Sequence, residues 1–323
     1  MKASIRRKYG SAEKIKIENV EQPVPKDDEV LVKVFATTVN RTDCAVLTGK
    51  PFIMRLFTGL INPKLIIPGT DFAGEIIAKG KNVQSFSIND KVFGFKDDGL
   101  ASQAEYMTIS EKGNILTIPG NSSYKVAAAS VEGAHYAYNF INKVYLKNGQ
   151  KVLINGATGA IGSALLQLVK QYDITVTAVC NSKNIELIKS LGADKIFDYT
   201  KEDFTEANEE YDFIFDAVGK STFGKCKSLL KKGGVYISSE LGPNAENPFL
   251  AMTTSFIGDK KVIFPFPSDV KGSMIFIKKL VENKKFKPVI EKEYSLEDIS
   301  EAYNYVCSGQ KTGNVIINIA ASS

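Results

Sequence analysis

The chain has one histidine, His135, and four cysteines, Cys44, Cys180, Cys226 and Cys307, with no C-x-x-C pair among them. A structural zinc site needs closely spaced cysteines and histidines, and a disulfide framework needs a denser set of cysteines. Neither is expected, and a reducing, cytoplasmic setting is. Long apolar runs are also missing. No stretch approaches the roughly 18 consecutive apolar residues of a transmembrane helix, so no membrane partner is expected. The stretch MKASIRRKYGSAEKIKIE has basic residues but no apolar core, which argues against a signal peptide. Charge of one sign is scarce: 41 Lys and Arg face 36 Asp and Glu, a net charge of +5. No basic run is interleaved with aromatics, so nucleic acid is not an expected partner.

What the chain does have is enough length, 323 residues, for two domains, and 44% hydrophobic with 24% charged residues, the balance of an ordinary globular protein. Its most informative stretch is KVLINGATGAIGSALLQLVK, Lys151 to Lys170. A short apolar run meets a loop with Gly156, Gly159 and Gly162, and an apolar helical pattern follows. Strand, glycine turn and helix begin a dinucleotide-binding βαβ unit, in which glycines permit a tight turn, approach of backbone to a pyrophosphate, and close helix–strand packing. The spacing G-x-x-G-x-x-G departs from the commoner G-x-G-x-x-G, so the downstream sequence matters. ITVTAVC reads as a second strand ending about 24 residues after Gly156, near the distance at which such folds read the ribose. NIELIKSLGADKIFDY reads as a helix, a glycine stop and a third strand, and YDFIFDAVG and GGVYISS as two more. Strands alternating with helices imply a doubly wound parallel sheet.

Before Lys151 the texture changes. Short strand-like runs (IKIENV, EVLVKVFATTVN, AGEIIAKG, DKVFGF, ASQAEYMTI, ILTIP) alternate with turn residues, the pattern of an antiparallel barrel or sandwich. KVAAASVEGAHYAYNFINKV reads as a helical linker, and after Ser268 a helix and two strand-like runs, VIEKEYS and NVIINI, rejoin the first domain. The expected fold class is therefore α/β, with a barrel or sandwich domain over 1–121 and 268–323 and a Rossmann domain over 122–267.

VNRTDCAVLTG, PGTDFAGEIIAKG, NGATGAIG and KSLGADKIFDY, in this order, resemble the medium-chain dehydrogenase/reductase superfamily, and most of all its zinc-independent quinone oxidoreductases. The resemblance spans essentially the whole chain. It implies a GroES-like barrel and a Rossmann domain with the active site in a cleft. Zinc members use a cysteine in the segment matching TTVNRTD and a His–Glu pair in the segment matching GTDFAG; here those places hold Asn40 and Thr70–Asp71. No catalytic metal is expected. Hydride addition to a plain ketone builds a localised alkoxide, which calls for a Lewis acid or a strong proton donor. Addition to the far end of an enone or quinone spreads the charge, so conjugate reduction is favoured.

The resemblance also assigns site residues. Asn40 matches an asparagine near the nicotinamide, with a turn-stabilising role as the alternative; Asp43 reads as a local helix cap. His135 falls where relatives place a threonine near the nicotinamide, with a purely structural role as the alternative. Asn40 and His135 are thus both the candidate catalytic residues and cofactor contacts. Tyrosines that some relatives carry after the asparagine correspond to Ala45 and Pro51, which makes a tyrosine donor from that loop doubtful. The loop residues Gly156, Thr158, Gly159, Ala160 and Ile161 would hold the pyrophosphate. Asn181, Ser182 and Lys183 follow the second strand where NAD-specific sites carry an acid. Because Ser182 and Lys183 can donate to a 2′-phosphate, NADPH is the expected cofactor. Tyr199 matches a tyrosine at the adenosine phosphate, Ala217 and Val218 would line the adenine or ribose side, and Thr312, Gly313 and Asn314 match a C-terminal segment that reaches the cofactor.

In the family that the chain resembles, strands in the region of the β-prone run KKVIFPF, Lys260 to Phe266, pair across a two-fold axis, so the resemblance implies an edge strand completed by a homodimer partner, and Phe264 and Phe266 could border the substrate pocket. The expected function is NADPH-dependent reduction of a small-molecule quinone or α,β-unsaturated carbonyl. The alternatives are an NAD(P)-dependent alcohol dehydrogenase or aldehyde reductase, and a catalytically idle NADPH-binding sensor or scaffold. The run KPFIMRLFTGLINPK is the least readable of the substrate-side loops.

Overall fold

The computed structural model describes residues 1–52 and 54–319. Ile53, in the run just named, lies outside them. Two compact units divide the chain: Met1–Glu132 with Val270–Ser323, and Gly133–Asp269.

In the first unit, β1 (Lys2–Ile5) pairs with β2 (Lys16–Asn19) as a separate ribbon. The main sheet contains β3 (Glu29–Val39), β4 (Asp71–Lys79), β5 (Lys91–Phe95), β6 (Tyr106–Ser110) and β7 (Ile115–Thr117). β3 is the spine, an eleven-residue strand with antiparallel partners on both edges. Val30, Val32 and Val34 alternate into a core with Phe72, Ile76, Val92 and Met107, the period-2 pattern of a strand with one packed face. Short helices α1 (Arg41–Thr48) and α2 (Met54–Thr58) fill the β3–β4 connection, and α3 (Tyr124–Ala129) packs on β3, β4 and β5. That packing moves the division of the chain from the expected 121/122 to 132/133, inside the helical stretch that the sequence presents as a linker.

The second unit opens in α4 (Glu132–Ile141). It alternates β8 (Lys151–Asn155), α5 (Ala160–Val169), β9 (Thr175–Cys180), α6 (Ile185–Ser190), β10 (Lys195–Asp198), β11 (Tyr211–Asp216), α7 (Phe223–Cys226), β12 (Leu230–Ser238), α8 (Glu246–Thr253) and β13 (Lys261–Ile263). All strands are parallel in the order β10-β9-β8-β11-β12-β13, the doubly wound Rossmann arrangement. β8 is central, and its Val152, Leu153 and Ile154 are fully buried, as a strand covered on both faces requires. The order reverses beside β8, which puts the switch point at the carboxyl ends of β8 and β11. The expected strand over Lys260–Phe266 is shorter, Lys261–Ile263, because Pro265 has no N–H to continue the ladder.

The chain then returns to the first unit through α9 (Val270–Glu282), β14 (Ile290–Ser295), α10 (Ile299–Cys307) and β15 (Asn314–Asn318). β15 runs antiparallel to β3 and closes the sheet order β14-β15-β3-β4-β5-β7. Ile299, Ala302, Tyr303 and Val306 of α10 pack with Val39, Leu47, Val315 and Ile317 in a second core of this unit.

Candidate active site

In the second unit the loop after β8 has the geometry of a phosphate cradle. Gly156 has φ +77°, a left-handed conformation that suits glycine, and a Cβ there would stand 2.6 Å from the Val218 side chain. At Gly162 a Cβ would lie 2.1 Å from the Gly156 carbonyl oxygen, so only glycine lets α5 approach the loop this closely. Gly159 differs: its nearest neighbour is 3.8 Å away, and it caps the ten-residue α5 without a side chain that accepts from the first N–H groups. Open space in front of uncapped donors, at the positive end of a helix, fits a pyrophosphate. Ala160 is buried at that first turn, with Thr158 and Ile161 half-buried beside it. Ala217 and Val218 are held next to Gly156 because the Ala217 N–H donates to the Asn155 carbonyl (3.0 Å) and the Val218 N–H to Asp216 (3.2 Å).

At the end of β9, Asn181, Ser182 and Lys183 leave the sheet in a turn. Pairing of β10 with β9 sets Asp198 opposite Cys180 and thus beside Ser182. The Ser182 hydroxyl donates to Asp198. Thr200 donates to the other carboxylate oxygen through its N–H (3.0 Å) and hydroxyl (2.6 Å), and Lys201 stands 3.4 Å away. Hydrogen bonds from Ser182 and Thr200 pull the Asp198 carboxyl down to about 2. The sequence reading of this turn saw no acid before Glu186; the fold supplies one from the next strand. Both Asp198 oxygens are occupied, and so is the Ser182 proton. Lys183, exposed in the turn, adds a second cation to the corner beside Lys201, and Tyr199 presents its ring to solvent at 59% exposure.

His135 is 1% exposed in α4. The Asn139 amide, one turn on, lies 3.4 Å from Nε2 and 3.5 Å from Nδ1, and Tyr136 meets the ring edge-on. Burial lowers the His135 pKa to about 4, so the ring is neutral at pH 7. Asn139, which also accepts from the Ser268 N–H (3.1 Å), escaped the sequence reading, although its i+4 spacing from His135 was visible.

In the first unit, Asn40 leaves β3 and caps α1. Its side chain accepts from the Asp43 N–H (2.8 Å) while Asp43 accepts from the Asn40 N–H (3.0 Å), a reciprocal capping box. The Asn40 amide donates to Thr70 Oγ1 (2.8 Å) and lies 3.5 Å from Asp71 Oδ2. Asn40 and Thr70–Asp71, distant in sequence, are therefore neighbours in one buried network, which also includes Thr37 and Thr38 donating to Asp71. Burial raises Asp71 to about 6 against these bonds. The donor set is one amide, one hydroxyl and one heavily bonded carboxylate, which does not fit a zinc ion that favours thiolate and imidazole. Among the described residues no group of three or more His, Cys, Asp or Glu is placed to hold a metal.

Close by, Thr42 donates to Glu132 (3.1 Å), whose carboxyl is raised by burial to about 7. Thr312 and Asn314 are both engaged in the C-terminal turn: the Thr312 N–H donates to Glu291 (2.7 Å) and the Asn314 amide to the Val289 carbonyl (2.9 Å).

The comparisons fit this description. Residues 26–120 match the alcohol dehydrogenase GroES-like domain and residues 191–317 the zinc-binding dehydrogenase family. The chain is 32% identical to the 2-methylene-furan-3-one reductase of Solanum lycopersicum, over 98% of this chain and 79% of that one. It is 30% identical to the chloroplast envelope quinone oxidoreductase homolog of Arabidopsis thaliana, over 93% of each. The quinone oxidoreductase from Coxiella burnetii shares the fold with a TM-score of 0.86, at 24% identity over 99% of each chain. The chain belongs to the medium-chain dehydrogenase/reductase superfamily, an oxidoreductase built from a GroES-like domain and a Rossmann domain, and its similarity runs to the quinone oxidoreductase-like members. No helix among the described residues is long and apolar enough to cross a membrane.

Proposed function

We propose that this chain reduces an α,β-unsaturated carbonyl or a quinone with NADPH and without zinc. The observation that carries the reading is the Asn40–Thr70–Asp71 network, hydrogen-bonded side chains where zinc relatives hold their metal. When bound, NADPH supplies the hydride. Gly156, Thr158, Gly159, Ala160 and Ile161 bind the pyrophosphate, with α5 pointing its free N–H groups at it. Ala217, Val218 and Tyr199 flank the adenosine, and Thr312 and Asn314 stiffen the C-terminal turn. Preference for the 2′-phosphate rests on Lys183, while the Asp198 carboxylate is engaged by Ser182, Thr200 and Lys201.

Asn40, fixed by its cap, directs its amide N–H groups to Thr70 and Asp71 within the buried network, and would donate to an acceptor oxygen in exchange for one of these bonds. Such a neutral donor suffices when the developing charge is spread over a conjugated enolate. The neutral His135, held by Asn139, orients the cofactor and can donate through one ring N–H. Names of relatives point the same way: the NADPH-dependent alkenal/one oxidoreductase of Arabidopsis thaliana is 29% identical over 98% of this chain.

A homodimer through β13 is part of the proposal. β13 is the outer strand of its sheet, and Phe249, Met252, Phe256 (87% exposed), Ile257 and Phe266 are exposed in the same unit. A cytoplasmic setting is also part of the proposal, on the scarcity of cysteine in the sequence. Oxidation of NADPH with an enone, a quinone and a saturated ketone, repeated with NADH, tests the reading. Turnover of the ketone alone would overturn it.

A further inference from the structure

Cys44 and Cys307 are 263 residues apart in sequence, yet their sulfur atoms lie 2.8 Å apart. Cys44 sits in α1, half-buried against the core that includes Tyr303 and Val306 of α10. Cys307 is the last residue of α10 and is exposed. The two helices pack on each other within one unit, so both sulfurs are carried by rigid elements. A disulfide needs a sulfur–sulfur distance of about 2.05 Å, so the bond requires only a small approach.

We propose that Cys44 and Cys307 are a reversible redox pair, joined by a peroxide or a small-molecule disulfide and reopened by thiols. With peroxide, the exposed Cys307 sulfur attacks one peroxide oxygen, giving a sulfenic acid and water. The Cys44 thiol then attacks the Cys307 sulfur, forming the S–S bond and releasing a second water. Two thiols lose two electrons and two protons, and one peroxide is reduced to two waters. The order follows from exposure, since only Cys307 meets the oxidant freely. The hydrogen bond between the sulfurs acts the same way: it lowers the Cys307 thiol and raises that of Cys44.

The product ties α1, which starts at the Asn40 cap, to α10 and closes a loop of most of the chain, which restricts the unfolded state. The other two thiols are internal controls. Cys180 and Cys226 are fully buried, both raised to about 11 by burial, and lie at separate places in the other unit.

The test treats purified full-length protein with hydrogen peroxide, alkylates the remaining thiols under denaturing conditions, and maps peptides by mass spectrometry with and without dithiothreitol. The expected result is one cross-linked peptide containing Cys44 and Cys307, a loss of two hydrogen atoms from the intact mass, a higher Tm, and reversal of all three by dithiothreitol. In Cys44→Ser the oxidation stops at a Cys307 sulfenic acid that dimedone traps; in Cys307→Ser, Cys44 stays alkylatable. Equal alkylation of all four cysteines before and after peroxide would overturn the proposal. So would a cross-link that uses Cys180 or Cys226, or that joins two chains.

Discussion

Three glycines in one loop should fail in different ways, and two of them separate folding from cofactor binding. In Gly162→Ala the new Cβ would stand 2.1 Å from the Gly156 carbonyl oxygen and 2.8 Å from the Ala157 Cα, against ordinary contacts of 3.4 Å and beyond. The obstructing atoms are backbone, so the strand–helix junction itself must shift by more than an ångström. Overpacking of this kind costs about 1–3 kcal/mol or more, offset by roughly 1 kcal/mol from alanine's better helix propensity. A net loss of about 2 kcal/mol corresponds to a Tm lower by roughly 5 °C. Gly159→Ala meets nothing nearer than 3.8 Å and has φ −68°, which alanine adopts freely. Its stability should stay within about 1 kcal/mol of the parent, the range of an N-cap change. The same methyl occupies the space in front of the α5 N-terminus, so NADPH binding should weaken at least about tenfold, or roughly 1.4 kcal/mol. Thermal melts and NADPH fluorescence titrations measure both quantities. Unchanged NADPH affinity in Gly159→Ala, or parental stability in Gly162→Ala, would refute the assignment of these glycines.

Three further outcomes are expected. Lys183→Glu should lower kcat/KM with NADPH by about ten- to a hundredfold, the worth of one charge-assisted contact, and leave NADH little changed; equal losses with both would remove Lys183 from the 2′-phosphate corner. Glu132 is raised to about 7 in the folded chain, so the native state holds a proton that the unfolded chain releases above its ordinary carboxyl range, and stability is lost as pH rises from about 4.5 to 7. Asp71 acts in the same direction up to about 6, whereas His135, lowered to about 4, contributes stability above its unfolded value near 6.5 that is lost as pH falls through 4. Glu132→Gln should therefore gain on the parent by roughly 3 kcal/mol between pH 5 and 8; urea melts with parallel pH profiles would contradict it. Sedimentation at micromolar concentration should show a dimer; a monomer would contradict the edge pairing.

Legibility in the sequence followed the range of the interactions. The Rossmann unit could be read because β8, β9 and β11 are short apolar strands separated by helices, a local pattern. So could the glycine loop and the Asn40–Asp43 cap, whose partners are three residues apart. α10 went unread although Ile299, Ala302, Tyr303 and Val306 keep a helical spacing, because its polar residues resemble a loop. What could not be read depends on strand order and packing. Asp198 reaches Ser182 only because β10 pairs with β9. Thr42 meets Glu132, and Cys44 meets Cys307, across 90 and 263 residues. The expectation that the cysteines are unconnected came from their spacing in sequence, which says nothing about two helices that pack together.

The central claim, hydride transfer from NADPH into a conjugated system with no zinc involved, is tested most directly by one assay. Purified protein, dialysed against a strong zinc chelator, is given NADPH with a simple alkyl enone and, separately, with the saturated ketone of the same carbon skeleton. The account expects the enone to be reduced at its carbon–carbon double bond with full activity after dialysis, and kcat/KM for the ketone to be at least about a hundredfold lower, a difference of roughly 2.7 kcal/mol in barrier. Equal turnover of the ketone, or activity that vanishes on dialysis and returns with zinc, would contradict it.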